Sequence, residues 1–590
     1  MELRSGIEKI VDRGTREPEA VRFHVPGQTP GAWDQVTWGQ LLQRCRQIAL
    51  YLDSMGIGLD DKVSIFANTR VEWAYCVPAI EACRGVFVPV YFSNTPDQAS
   101  YVINHSDATV LFTELALLPK IIARWETYPL VRELIVWDLQ DDAQLEALLA
   151  GCADAGLTVE RLQEKIVPLR SVYAQGQALH EADPRRLERL LSARRPADVA
   201  AIIYTSGTTG LPKGVELTNR NLAATGASWL SVLEHAFPPP GQRRDILWLP
   251  ISHMSGWGIL GQGTSFDYET WLADPATLLS ILPEVRPTML LSVPAYWEKM
   301  YTLALNASDD PAAQHTRLRE LTGGCLTFLL SGGAGLKREV KDFFLAAGIQ
   351  MIEGYGLTEC SPNLTMNRLD DFDFDSVGKP MPGVTLRLAE DGEIIVKGDN
   401  VFCGYYKDPE ATAACFDAGG WFHTGDLGRW TGEGLAFLRI SGRKKEIIAT
   451  SGGKKIGPAG VEAQFVGQPL IEHIVLYGDE HKYLTALITL DEQALRDLAA
   501  RRGLLYPEYG QLASCPAVHD EVQRLVDQVN ARLASYETIK RFYIHPGHLT
   551  VDAGHLTPSL KLRRKRVWED FRLQYEALYS PAPRGRAAAR

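Results

Sequence analysis

The 590-residue chain has nine cysteines but no Cys-x-x-Cys pair, and no histidine at zinc-like spacing. That removes the usual zinc-ribbon and dithiol readings. Cys45, Cys76, Cys83, Cys152, Cys325, Cys360, Cys403, Cys415 and Cys515 are scattered and read as reduced, partly buried thiols. An excess of basic residues is also lacking. With 61 Lys and Arg against 72 Asp and Glu, the formal charge is -11, which argues against a nucleic-acid-coating protein and leaves room for a local basic phosphate site. No apolar run is long enough to span a bilayer, and the opening Met-Glu-Leu-Arg-Ser-Gly-Ile has no basic start followed by an apolar stretch. A cytoplasmic protein with at most peripheral membrane contact is expected. There is no regular internal repeat. Nor is there a G-x-x-x-x-G-K-[ST] string, which disfavours an ordinary P-loop NTPase.

What is present begins at Tyr204 to Gly214, Tyr-Thr-Ser-Gly-Thr-Thr-Gly-Leu-Pro-Lys-Gly, directly after the apolar run Val199 to Ile203. Such a loop can offer a phosphate chain backbone N–H groups, hydroxyls and one lysine. Thr205, Ser206, Thr208 and Thr209 supply donors, Lys213 a mobile positive charge, and Gly207, Gly210 and Gly214 close approach of the anion. Residue composition, 45% hydrophobic and 23% charged, is that of a globular protein, and the length requires two or more domains.

Short β-branched runs at Lys62 to Phe66, Val86 to Tyr91 and Ala108 to Phe112 alternate with helix-like spacing, as at Trp73, Cys76, Ile80 and Cys83, which predicts α/β layers. The alternation recurs from Ile246 to Leu291 and around Leu326 to Leu330, before the turn Ser331 to Gly335 and a helix over Lys337 to Ala347. From about 384 the texture becomes short strands and turns, including Gly392 to Lys397 and Gly404 to Lys407. The expected fold is a large α/β N-terminal domain over 1–440, with a β-rich subdomain at about 384–440. A hinge at 441–446 and a small, mobile α+β C-terminal domain over 447–579 follow, then a disordered tail at 580–590.

Further segments carry chemistry. In Ile352 to Pro362, Tyr355, Thr358 and Glu359 share one turn-forming stretch that can stack on a base, hydrogen-bond a phosphate or carboxyl oxygen, and hold Mg²⁺ through a hard oxygen. In Trp421 to Asp426, Asp426 offers a carboxylate after a glycine, which suits bidentate acceptance from a pair of neighbouring hydroxyls such as those of a ribose. Near the end, Leu556 to Lys565 is strongly basic; Arg563, Arg564, Lys565 and Arg566 read as a solvated run or as contacts for a phosphorylated thiol.

In this order, the motifs resemble those of the adenylate-forming superfamily, which includes acyl-CoA synthetases, peptide-synthetase adenylation domains and luciferases. The resemblance runs from about Gly31 to Phe571. It implies ATP and coenzyme A as co-substrates with Mg²⁺, the 205–213 loop on the phosphates, and Gly333 and Ala334 in the adenine-contacting turn. It further implies Tyr355 at adenine, Thr358 at the phosphate, Glu359 at the metal, Asp426 and Arg443 at the ribose, and His253 between nucleotide and carboxylate. Lys561 falls where the family carries its adenylation lysine, and Lys445 where it carries its hinge. Leu291 to Lys299, with Val88 to Phe92, is similar to long-chain fatty-acid–CoA ligases. One departure is the glycine-rich stretch after His253, Met254 to Asp267. The implied activity is formation of acyl-AMP from ATP and an apolar carboxylic acid, then of a thioester with coenzyme A. An alternative is loading of a carrier-protein pantetheine with a fatty or aryl acid.

Overall fold

The computed structural model describes residues 6–29, 31–150, 158–205, 211–333, 335–432, 434, 436–452, 454–465, 468, 470–505, 508–557 and 561–580. Its largest sheet has eight strands in the order Gly404–Tyr405, Lys213–Thr218, Val199–Thr205, Val86–Val90, Lys62–Phe66, Val110–Thr113, Glu133–Val136 and Ile166–Pro168. The pairings from Val199–Thr205 through Ile166–Pro168 are parallel. Every residue of Val86–Val90 and Val110–Thr113 is buried, the signature of strands covered on both faces by helices. Lys213–Thr218 returns antiparallel to Val199–Thr205, with Thr205 opposite Lys213. The hydroxyl-rich stretch 206–210 joins them and lies outside the described residues, as do Ala334 and the tail 581–590.

A second sheet runs Met289–Ser292, Phe328–Ser331 and Gln350–Gly356 in parallel, then Asn363–Met366 and Lys379–Pro380 antiparallel. The turn after Phe328–Ser331 and the end of Gln350–Gly356 lie at the carboxyl edge, where open α/β sheets bind ligands. A third sheet combines Arg244–Leu247, Glu269–Leu272, Val21–Pro26 and Trp33–Thr37. The β-rich unit is an antiparallel sheet of Thr385–Leu388, Glu393–Lys397, Phe422–Thr431 and Phe437–Arg443, whose last strand runs three residues past 440. One strand expected in this unit lies elsewhere: Gly404–Tyr405 is the edge of the eight-stranded sheet. Tyr405 opposes Val215, and the Tyr406 hydroxyl donates to Asp107 at 2.8 Å. These anchors on the large domain outweigh the sequence proximity to 393–397.

Beyond the Ile448–Ala449/Lys455–Ile456 hairpin, Ile471–Tyr477, Leu484–Leu490 and Ile539–Ile544 form a three-stranded sheet packed by Glu492–Arg502 and Pro516–Asn530. These elements bury a hydrophobic cluster of their own, from Ile448 to Phe542, as a separate folding unit requires. Helix starts are capped as the sequence allows: Thr37, Thr95 and Thr218 each form reciprocal capping boxes with the residue three positions on. None of the helices described is long and apolar enough to cross a membrane.

A buried ion pair fixes the approach to the second sheet's edge. Lys341 and Glu353, 4% and 6% exposed, pair with each other. The ammonium also donates to the Phe374 carbonyl, and the carboxylate accepts the Leu336 N–H at 3.0 Å. Glu353 thus ties Leu336, at the start of the Arg338–Ala346 helix, to the strand bearing Tyr355. Lys341→Met strands a buried carboxylate, with an expected loss of about 3 kcal/mol, checked by the urea midpoint of the purified variant.

Candidate active site

The strand end Gln350–Gly356 delivers Tyr355 to the floor of a cleft. Gly356 is required there, because a Cβ would fall 1.7 Å from the Pro362 carbonyl oxygen. The Tyr355 hydroxyl donates to Asp426 Oδ2 at 2.7 Å, and Arg443 Nε lies 3.1 Å from Asp426 Oδ1. Asp426 and Arg443 face each other directly across the Phe422–Thr431/Phe437–Arg443 ladder. Gly425 precedes Asp426 at φ +74, a left-handed conformation suited to glycine, and its N–H donates to Glu393 at 2.9 Å. Asp426 is 5% exposed, and burial raises its pKa against the opposing pull of Arg443. Each carboxylate oxygen has two lone pairs, so both can accept a hydroxyl in addition to their protein partners.

Thr358 lines the same cavity, whereas Glu359, Thr205 and Lys213 are not among the residues that line it. Glu359 Oε1 accepts the Tyr405 hydroxyl at 2.9 Å, and burial raises its pKa. The Lys213 ammonium sits 5.0 Å from the centre of the Tyr405 ring and 3.3 Å from Asp408. Tyr405 therefore joins Glu359 to Lys213, beside Thr205 at the mouth of the hydroxyl-rich loop. No group of three or more His, Cys, Asp or Glu able to hold a metal occurs among the described residues. Cys360, next to Glu359, is buried with its thiol pKa pushed well up, unsuited to a nucleophile.

His253 is the N-cap of the helix Met254–Ser265, its Nδ1 accepting the Ser255 N–H at 3.1 Å. Burial first, and nearby Lys561 second, hold its pKa down at about 4. The ring is neutral near pH 7, and with Nδ1 accepting, its proton sits on Nε2, a donor. Gly256 lets this helix close on its entry segment, since a Cβ would lie 2.2 Å from the Pro250 carbonyl oxygen. Gly258 and Gly261 have nothing within 4 Å of a built Cβ and line the cavity. The glycine-rich departure in the sequence is thus a helix with an open face.

Lys561 arrives from the C-terminal unit. It is tied back to Thr557 by the Thr557 N–H to the Lys561 carbonyl at 2.7 Å and by the Lys561 N–H to Thr557 Oγ1 at 3.0 Å. Its side chain is open to the cleft, yet the surrounding walls lower its ammonium pKa, and Arg443 lowers it further while Asp426 opposes. Tyr355, Asp426, Arg443, His253, Thr358, Gly333 and Lys561 line one cavity of about 2490 Å³, well above an ordinary small-molecule pocket of about 300–1,000 Å³. Lys445 is on the outside of this cleft, exposed in the short turn Lys444–Glu446.

The sequence reading missed Tyr405 and misjudged Arg564. Arg564 is not solvated: it is 7% exposed and paired with Glu462 and Glu446. The Tyr405-Tyr406 pair ahead of a Lys-Asp-Pro helix start was the available signal for the former.

Residues 11–406 match the family described as AMP-binding enzyme, and residues 445–582 match the AMP-binding enzyme C-terminal domain. The chain belongs to that family. Its relatives include a long-chain-fatty-acid–CoA ligase of Mycobacterium bovis, 34% identical over 595 residues and covering 93% of each chain. Another is a peroxisomal long chain acyl-CoA synthetase of Arabidopsis thaliana, 29% identical, with 94% of this chain and 82% of the other covered. Among solved structures, the adenylation domain of a carboxylate reductase from Mycobacterium chelonae superposes with a TM-score of 0.78 at 23% identity, over 98% of this chain and 92% of that one, which speaks to fold alone.

Proposed function

We propose that the chain is an AMP-forming acid–thiol ligase that activates a fatty carboxylic acid with ATP and passes the acyl group to coenzyme A. The observation that carries this is the meeting of Tyr355, Asp426 and Arg443 with Lys561, from the other unit, in one cavity roomy enough for a nucleotide and an acyl chain. A carboxylate oxygen attacks the α-phosphorus and pyrophosphate leaves, giving acyl-AMP; a thiol then attacks the acyl carbon, and AMP and a proton leave. We assign Tyr355 to the adenine with Gly333 in the facing turn, Asp426 and Arg443 to the ribose, and Thr205, Thr358 and Lys213 to the phosphates. Lys561 bridges acid and α-phosphate as charge builds, and the Nε2–H of His253 orients the acid's oxygen.

Magnesium suits Glu359. One of its oxygens is held by Tyr405, and a single carboxylate completed by phosphate oxygens and water is a common arrangement for this ion. When bound, it would neutralise phosphate charge, and Glu359 would be the residue that holds it. We place the hinge at Lys445 within 441–446, dividing 1–440 from 447–579, so that rotation brings the Ser451 to Ile456 segment toward the thiol.

The test is pyrophosphate release from ATP across acids of graded length and aromaticity, with thioester formation scored on free coenzyme A and on a carrier-protein pantetheine. Release with long apolar acids and product with free coenzyme A is expected; product only with the carrier, or release only with aryl acids, overturns the assignment. The open face of the Met254–Ser265 helix marks the acyl chain's path. Gly258→Leu is expected to lower kcat/KM for the longest acids at least tenfold through overpacking, while the shortest turn over normally.

A further inference from the structure

The basic run after Lys561 is not uniform. Lys565 and Arg566 are exposed and face Glu569 and Asp570 one helical turn on. Arg564 is inside. Its fork takes both oxygens of Glu462, at 2.7 Å to Oε2, and Nε lies 3.4 Å from Glu446 Oε2. These partners come from distant parts of the chain. Glu446 closes the short turn Lys444–Glu446, directly after Lys445. Glu462 ends the helix Pro458–Glu462 and also accepts the Leu476 N–H at 2.8 Å, tying it to the central sheet of the C-terminal unit.

Arg564 in turn starts the helix Arg564–Asp570. It directly follows the return limb bearing Lys561, which is fastened by the Leu556–Leu562 bridge and by the Arg563 N–H to the His555 carbonyl at 2.8 Å. Charge, burial and a bidentate fork make this the strong class of ion pair. The contact joins the segment just past Lys445, the body of the C-terminal unit and the base of the lysine limb.

We propose that Arg564 is a positioning residue for Lys561: by clamping Glu446, the last residue of the hinge, and Glu462, in the body of the C-terminal unit, it makes the lysine limb move as one body with that unit from the end of the hinge onward. Rotation at the hinge then places the ammonium in the cleft without slack. Misplacement by about 1 Å costs up to about a hundredfold in rate, so a loosened clamp should be felt in the half-reaction that uses the lysine. The proposal rests on the assignment of Lys561 to adenylation, and goes beyond it by naming what indexes the lysine.

The experiment uses the full chain and two conservative variants. Arg564→Lys keeps a cation for Glu462 but loses the fork; Glu446→Gln keeps shape and leaves the Glu462 pair whole. Acid-dependent ATP–pyrophosphate exchange is expected to fall about tenfold in each, while thioester formation from supplied acyl-AMP stays within about twofold of the parent. A purely structural role would lower both. The deciding measurement repeats each variant in a Lys561→Ala background. If Arg564 acts through Lys561, the residual exchange rate of Lys561→Ala should not fall further, the non-additivity of residues acting as one unit. Multiplying losses, equal losses in both half-reactions, or no loss would each overturn the proposal. If Lys561→Ala alone leaves exchange intact, the assignment of the lysine fails first and the clamp falls with it.

Discussion

Lys561→Ala is expected to lower acyl-adenylate formation by about 10²–10³-fold, the usual effect of deleting one preorganised charge stabiliser, while thioester formation from supplied acyl-AMP changes little. The asymmetry follows from placement. Lys561 reaches the cleft from the C-terminal unit, and its ammonium is felt by His253 and feels Arg443 and Asp426. Negative charge at the α-phosphorus grows only while the acid attacks, so a cation at that point lowers that barrier and contributes little to ground-state binding. ATP KM is therefore expected to hold within about threefold while kcat for exchange collapses. Burial of Lys561 between the cleft walls, and Arg443 after it, also give a direction with pH: the ammonium loses its proton at lower pH than a free lysine would, so the alkaline limb of exchange comes early and is missing from the variant's residual rate. Equal losses in both half-reactions would move the catalytic role to another residue.

The parts of this site that could be read from the sequence were those carried on contiguous strings. Tyr355, Thr358 and Glu359 lie within five residues, and the Gly425-Asp426 step is a local backbone requirement, so each sits in a short contiguous string whose resemblance to the family's motifs singles it out. The alternation of Lys62–Phe66 with the Glu72–Ala82 helix and Val86–Val90 is similarly local, because a strand buried on both faces must be a continuous apolar run. What stayed hidden depends on long-range pairing. Tyr405 meets Glu359 across 46 residues, and Gly404–Tyr405 joins the eight-stranded sheet rather than the neighbouring β-rich unit, a choice made by its contacts with Lys213–Thr218. Arg564 looks like its solvated neighbours in sequence; only packing against Glu462, 102 residues away, distinguishes it. The glycines after His253 read as a break in the pattern. In the fold, Gly256 permits a close helix start and Gly258 and Gly261 leave space, distinctions set by what lies opposite each Cα.

Asp426→Asn is expected to lower kcat/KM for ATP about a hundredfold, since charge-assisted bonds to two ribose hydroxyls are each worth about 1.5–3 kcal/mol and an amide can accept at only one of its two heads. Stability should move the other way. Burial raises the Asp426 pKa in the native protein, so the ionised form is penalised on folding; that penalty is present above the native pKa and disappears as pH falls through the unfolded value. The asparagine carries no such penalty. Arg443 loses its partner but keeps a side chain that is 54% exposed to the cleft, so no charge is left stranded in the interior. At pH 7 the variant's urea midpoint is therefore expected to equal or exceed the parent's while its affinity for ATP collapses, the exchange of stability for function typical of a binding site. In the parent, ATP affinity should weaken on acidification at a higher pH than an unperturbed aspartate at this position would give, and in Asp426→Asn that contribution should be missing. Titrating ATP binding from pH 8 to pH 5 in both proteins isolates it as the difference between the two curves, and an unchanged acid limb in the variant would remove Asp426 from the ribose.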